Sequence, residues 1–341
     1  MKRLGAMVVA AMVLAVSAAA VPAQAGPLQQ ERVSATAKWV FHVDVEAMMA
    51  TDLATTILKQ EKVAAEVAKG VKKFVELTGC DPTKDIKAVT AYGATFEKDH
   101  GVLIVQASFD REKLLALVTL SEDHKETAYG AVALHQWTDK NSKGRTLYGC
   151  LYLKDLVLLA SDMDSLKLAV DVLDGKKDNL TKSDLAALLP KDKSIVVAAA
   201  KDIELPKGND QHVPAMFKSL ESAAFSCGQA DGKATVSVTV VCRDAKDAGN
   251  IRNFVTGMLA LASMSGAQEE NQPPAECAEL LKGIVVGGED KTVTVSGKWD
   301  VAVLKKLMDT WYGQRAKAAA PVAPAAPPAP AASPAPPTDG I

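Results

Sequence analysis

Six aspartates stand at one kind of place in this chain: Asp44, Asp110, Asp162, Asp202, Asp244 and Asp300 each sit between a strand-like run and a helix-like run. Carboxylates at strand ends could converge on a metal ion, which is the first chemistry to weigh. The same residue also caps helices, because its side chain accepts hydrogen bonds from free N–H groups of the first turn and suits the helix dipole. Six junctions, each with its own helix, would scatter the carboxylates over the molecule. The spacing therefore assigns caps rather than ligands, with bonds expected from N–H groups two or three residues on at Asp110, Asp244 and Asp300.

The other reactive residue types are as dispersed. His42, His100, His124, His135 and His212 form no HxxxH or HExxH pattern. His42 and His135 fall in strand-like runs and could meet across a sheet, but two such histidines do not make a ligand set. Cys80, Cys150, Cys227, Cys242 and Cys277 contain no CxxC, and their odd number leaves at least one unpaired; they read as small buried apolar residues. Gly228, Gly232 and Lys233 imitate a P-loop one residue short and without its Ser or Thr. Gly287-Gly288-Glu289-Asp290 imitates the loop of cyclic-dinucleotide synthases without the following Phe. Both belong to turns between strands. No catalytic, cofactor-binding or metal-ligating residue is assigned, and no cofactor is expected.

The elements that would position a site follow from periodicity. Trp39 to Asp44 alternates as a strand with one wet face, and Val63, Val67, Val71 and Phe74 follow at helical spacing. Gly79 caps that helix, and Asp81-Pro82 forbids its continuation. Strands are expected at 86–96, 102–109, 131–137, 146–153 and 156–160, with helices at 111–120 and 165–173. The second half replays this order: a strand at 195–200, a helix at 213–220, a hairpin of 223–230 and 234–242, a helix to Met264, a short helix before Lys282, a hairpin at 284–298, and a helix at 301–311. Asp231-Gly232 between alternating runs is a strong hairpin turn. A two-residue turn there sets Cys227 opposite Val236 and keeps Cys242 too far from Cys227 for a disulfide. The expectation is an α+β fold: two similar halves, related by duplication, of mainly antiparallel sheet with helices packed on one face.

The ends of the chain read differently. Lys2 and Arg3, the uncharged run Leu4 to Ala20, and Ala23-Gln24-Ala25 compose a secretory signal over 1–25, with cleavage before Gly26. Residues 26–37 read as a loose leader, 38–178 as the first half, 179–193 as a linker and 194–315 as the second half. The alanine- and proline-rich stretch 316–341 reads as a disordered tail. Lys2 and Arg3 leave with the signal, so the formal net charge of −2 becomes −4. That balance offers no basic face for nucleic acid. No later run is long and apolar enough for a transmembrane segment.

The stretch Leu77-Thr78-Gly79-Cys80-Asp81-Pro82-Thr83-Lys84-Asp85-Ile86 resembles the helix-to-strand passage of exported bacterial families known only as domains of unknown function. Trp39 to Asp44, Ala107 to Leu114 and Val170 to Gly175 extend the resemblance over residues 38–312. It implies an exported protein of structural motifs and no established activity. Together these readings give a periplasmic or extracellular protein, non-enzymatic, acting as an envelope-associated binding or scaffold module toward a protein or envelope component. The alternative is an extracytoplasmic hydrolase whose catalytic residues are dispersed.

Overall fold

The computed structural model describes residues 26–97, 100–139, 144–190, 194–203, 218–265 and 275–318. The signal, residues 213–217 of the expected helix, and positions 319–341 of the tail lie outside them. The first strand is β1 (Trp39–Asp44), followed by helices α1 (Val45–Met49), α2 (Asp52–Leu58) and α3 (Glu61–Thr78). Next come β2 (Ile86–Gly93), β3 (Val102–Ala107), α4 (Arg111–Thr119), β4 (Lys125–Tyr129), β5 (Val132–Asp139), β6 (Arg145–Tyr152), β7 (Leu156–Ala160), α5 (Met163–Leu173) and α6 (Leu185–Leu188). The second run holds β8 (Val196–Lys201), β9 (Leu220–Ala230), β10 (Lys233–Cys242), α7 (Ala245–Ser265), α8 (Ala275–Lys282), β11 (Ile284–Gly287), β12 (Thr292–Asp300) and α9 (Val301–Ala318).

All twelve strands join one sheet in the order β11-β12-β10-β9-β8-β1-β2-β3-β7-β6-β5-β4, and every pairing is antiparallel. This is the α+β class. The halves meet where β1 pairs with β8, Val40 lying opposite Ala199. Outward from that seam the strands run β1-β2-β3-β7-β6 on one side and β8-β9-β10-β12-β11 on the other, the same sequence of elements. Short connections between neighbours generate much of this order unaided, so it accords with a duplication without establishing one.

Alternation along each strand sorts the core onto two faces. The front face carries Val40, Tyr92, Ile104, Leu158, Cys150 and Leu134, packed beneath Leu166, Ala169 and Val170 of α5 and Leu185 of α6. The back face carries Phe41, Val43, Val89 and Val105 beneath α1 to α3. In the second half Ala248 and Ile251 of α7 cover Cys242 and Val293 on the back, and α9 packs on α8 and α2. Helices on one face is thus the rule for α1–α4 and α7–α9, while α5 and α6 take the front. Beyond β8 the front face bears Ser226, Ser237 and Ser296 in register on adjacent strands.

Two segments depart from their expected looseness. Residues 26–37 are a docked strap, with a 3₁₀ turn at Gln30–Arg32 and Val33, Ser34 and Ala37 all buried. Leu180 N–H donates to the Val33 carbonyl at 2.8 Å and Ala35 N–H to the Asp178 carbonyl at 3.0 Å. The expected linker is packed as well, because Leu180, Leu185 and Leu189 drop into the front core. The strap covers apolar strand surface that would otherwise face water, which holds both segments in place. Two strand boundaries also differ: β4 is an added strand, and Leu220 opens β9 instead of ending a helix.

Candidate functional site

Helix α4 stands off from the sheet it crosses. Its first turn is capped by Asp110, whose carboxylate accepts from Lys113 N–H at 3.0 Å. Leu114, Leu115, Leu117 and Val118 face the back of the sheet, yet no α4 residue is buried. The helix is tied at both ends. Arg111 donates to the carbonyls of Leu151 (3.2 Å) and Leu153 near the β6–β7 turn. Beyond its last turn, the Asp123 carboxylate accepts from the Thr138 amide (3.2 Å) and hydroxyl of β5. Those hydroxyl bonds, from Ser121 and Thr138, hold the Asp123 carboxyl down to about 2.

Between helix and sheet lies a cleft of about 530 Å³. Its floor is Val105 and Ala107 of β3, Val157 and Leu159 of β7, Leu147, Gly149 and Leu151 of β6, and His135, Trp137 and Asp139 of β5. Phe74 and Thr78 of α3 close one side with Cys80, Ile86 and Phe109. From β2 to β5 the floor crosses four inter-strand spacings, roughly 19 Å at about 4.8 Å each. Gly149 keeps this floor low: a Cβ there would stand 2.9 Å from the Leu158 carbonyl and Leu159 Cδ2, and 3.1 Å from Trp137.

The polar groups of the cleft are few. Thr78 spends its hydroxyl on the Phe74 carbonyl at 2.7 Å. Burial pushes the Cys80 and Cys150 thiols up to about 12, so neither supplies a thiolate nucleophile near neutral pH. His135 is buried in the wall, and its Nδ1 lies 3.1 Å from Nε2 of His124 with the rings stacked. Burial lowers the His135 pKa, Glu126 opposes that with its Oε2 3.8 Å from Nδ1, and His124 adds to it. This pair escaped sequence reading because it depends on the β4–β5 hairpin, whose first strand was not foreseen.

His42 and His135 do not meet. His42 lies on the front of β1, with Nδ1 2.9 Å from Thr90 Oγ1 and Nε2 3.0 Å from the Gly26 carbonyl, whereas His135 lies on the back of β5. The junction aspartates stay apart as well. Asp44, Asp110, Asp162 and Asp244 accept from Ala47, Lys113, Ser165 and Asp247 N–H groups at 2.7–3.0 Å. Asp300 departs from the pattern by pairing with Lys233 at 2.7 Å, and Asp202 adopts a left-handed φ of 51°. Among the described residues no group of three or more His, Cys, Asp or Glu could hold a metal ion. A second, smaller cavity of about 100 Å³ adjoins Tyr92, whose buried hydroxyl has no partner among the described residues, beside His100 and Ser165. It is the size for water rather than for an organic ligand.

The imitation P-loop is the β9–β10 turn, where Asp231 (φ 52°) and Gly232 (φ 69°) are both left-handed, and the Gly287-Gly288 motif turns β11 into β12. Cys227 pairs opposite Val236 as the two-residue turn requires, and all five cysteines are free. None of the described helices is long and apolar enough to cross a membrane.

No protein-family model and no curated protein matches the chain. Among solved structures it is similar to crystal form III of TP0453, with a TM-score of 0.43 and 10% identity over 84% of this chain and 98% of that one. Crystal form I of TP0453 gives a TM-score of 0.41 at 10% identity, over 84% of this chain and 99% of that one.

Proposed function

We propose that this chain is an exported, non-enzymatic binding module that holds an elongated apolar ligand between the back of its sheet and α4. The observation that carries the proposal is the cleft of about 530 Å³, floored mainly by aliphatic side chains and crossed by a helix with no buried residue. Sealed and empty, such a volume would cost on the order of 10 kcal/mol, as much as the whole stability of a typical domain. It is instead open to solvent beside Leu117, and a ligand that displaces its water gains the burial of both apolar surfaces. Export rests on the residues before Gly26; N-terminal sequencing of the secreted form should return Gly26, and a retained Met1 would remove this part of the proposal.

The ligand is tested with N-phenyl-1-naphthylamine, a neutral apolar fluorophore. Saturable, one-to-one enhancement is expected with the wild-type protein. Val157→Trp fills the floor at its centre and should weaken binding at least tenfold while the melting temperature holds or rises. No enhancement, or enhancement that Val157→Trp leaves unchanged, places apolar binding elsewhere and ends the proposal.

A further inference from the structure

The wall of the cleft contains a ring nitrogen with no hydrogen-bond partner among the described residues. The His135 side chain is 7% exposed, and its Nδ1 is taken by His124. Its Nε2 has no hydrogen-bond partner among the described residues. Because His135 lines the cleft and Nε2 is not among the fully buried unsatisfied side-chain atoms, this nitrogen is left to water or to a ligand. Trp137 and Leu147 flank His135 on the same wall, so a group reaching Nε2 arrives along a mostly apolar channel whose one carboxylate is Asp139.

Resting on the binding reading above, we propose that the ligand is a long-chain monocarboxylate of the fatty-acid kind, its chain lying across β3, β7 and β6 and its carboxylate accepting a hydrogen bond from His135 Nε2. Burial disfavours the imidazolium, so neutral His135 carries its proton on Nε2 and donates it to the ligand, while Nδ1 accepts from His124 Nε2–H, which satisfies both nitrogens. His124 is thereby a positioning residue, fixing the ring, and is itself anchored by the loop that Asp123 ties to Thr138.

The charges facing His135 allow this state. Glu126 of β4 lies on the Nδ1 side, 3.8 Å away, and its pull toward the cation is outweighed by burial. Asp139 is four residues along β5, about 14 Å along the strand at about 3.4 Å per residue, too far to repel a carboxylate at Nε2 strongly. Strands β3, β6 and β7 and helices α3 and α4 contribute no charged side chain to the cleft. A charged hydrogen bond in so apolar a place separates the acid from a neutral head of the same length by about ten- to a hundredfold.

The experiment displaces N-phenyl-1-naphthylamine from the full chain with dodecanoic acid, dodecanol and dodecylamine. The acid should displace it at a concentration about ten- to a hundredfold below the alcohol, and the amine no better than the alcohol. Its advantage should hold between pH 7 and pH 8, where His135, its pKa lowered by burial, is neutral and keeps the Nε2–H, and the alcohol's affinity should stay flat. His135→Gln should bring acid and alcohol together while still binding the fluorophore. Equal affinities of acid and alcohol in the wild type, or a preference for the amine, overturn the carboxylate assignment and leave the apolar cleft standing, even if the variant does not fold. Failure of the fluorophore itself to bind ends the cleft reading and this inference together.

Discussion

His42 is nearly inaccessible at 1% exposure, and both ring nitrogens are engaged. The Gly26 carbonyl can only accept, so Nε2 carries the proton and Nδ1 accepts from the Thr90 hydroxyl. Burial pushes the pKa down to about 4, against a weaker upward pull from the Gly26 bond. A histidine whose folded pKa is depressed contributes stability that is full above about 6.5 and is lost as pH falls toward 4. Denaturant unfolding should therefore show about 2 kcal/mol less stability at pH 5 than at pH 7 from this residue. His42→Leu should flatten that slope; an unchanged slope would assign it to other groups. At this scale much was legible beforehand. Four of six junction aspartates cap as their position required, and Asp231-Gly232 fixed the cysteine register. Asp300 was not legible as a partner of Lys233, because its contact comes from the turn of a hairpin far along the chain.

Elements were legible where one periodicity dominates. Helix α3 ends at left-handed Gly79 (φ 72°), and β7 spans Leu156–Ala160 as its short continuous apolar run indicates. Strand β4 was missed because Lys125, Glu126, Thr127 and Ala128 are all exposed, and it offers no buried face to mark it. The strap at 26–37 was missed for a related reason: twelve residues with few large apolar side chains look loose until the groove that receives Val33 exists. This bears on the proposed processing at Gly26. A cut at Gly26 leaves intact the carbonyl that His42 binds, whereas a cut beyond it would strip a buried imidazole of its acceptor. The candidate cleft was not legible at all. It arises from the distance between α4 and the sheet, set by Arg111 at one end and Asp123 at the other, and no local pattern encodes a gap.

As a whole molecule the chain is an open ribbon of antiparallel strands, and an open ribbon has two ends. Strands β4 and β11 each present a row of backbone donors and acceptors that no strand of the sheet pairs. Such rims invite growth by addition of further chains. The two ends discourage it differently. Strand β4 is lined with exposed Lys125 and Glu126, so an incoming strand must desolvate charge. Strand β11 is apolar, with Val285 63% exposed, but it is only four residues long and turns away at left-handed Gly288 and Asp290. Brevity does there what charge does at β4. Replacing Lys125 and Glu126 together by valine should leave the monomer folded, since neither is buried. It should nevertheless produce concentration-dependent assemblies that sediment ahead of the wild type and bind thioflavin T. A double variant that stays monomeric at high concentration would show that the rim is protected by something other than its charges. Stopping polymerisation thus falls to a pair of terminal strands that contribute little to the core.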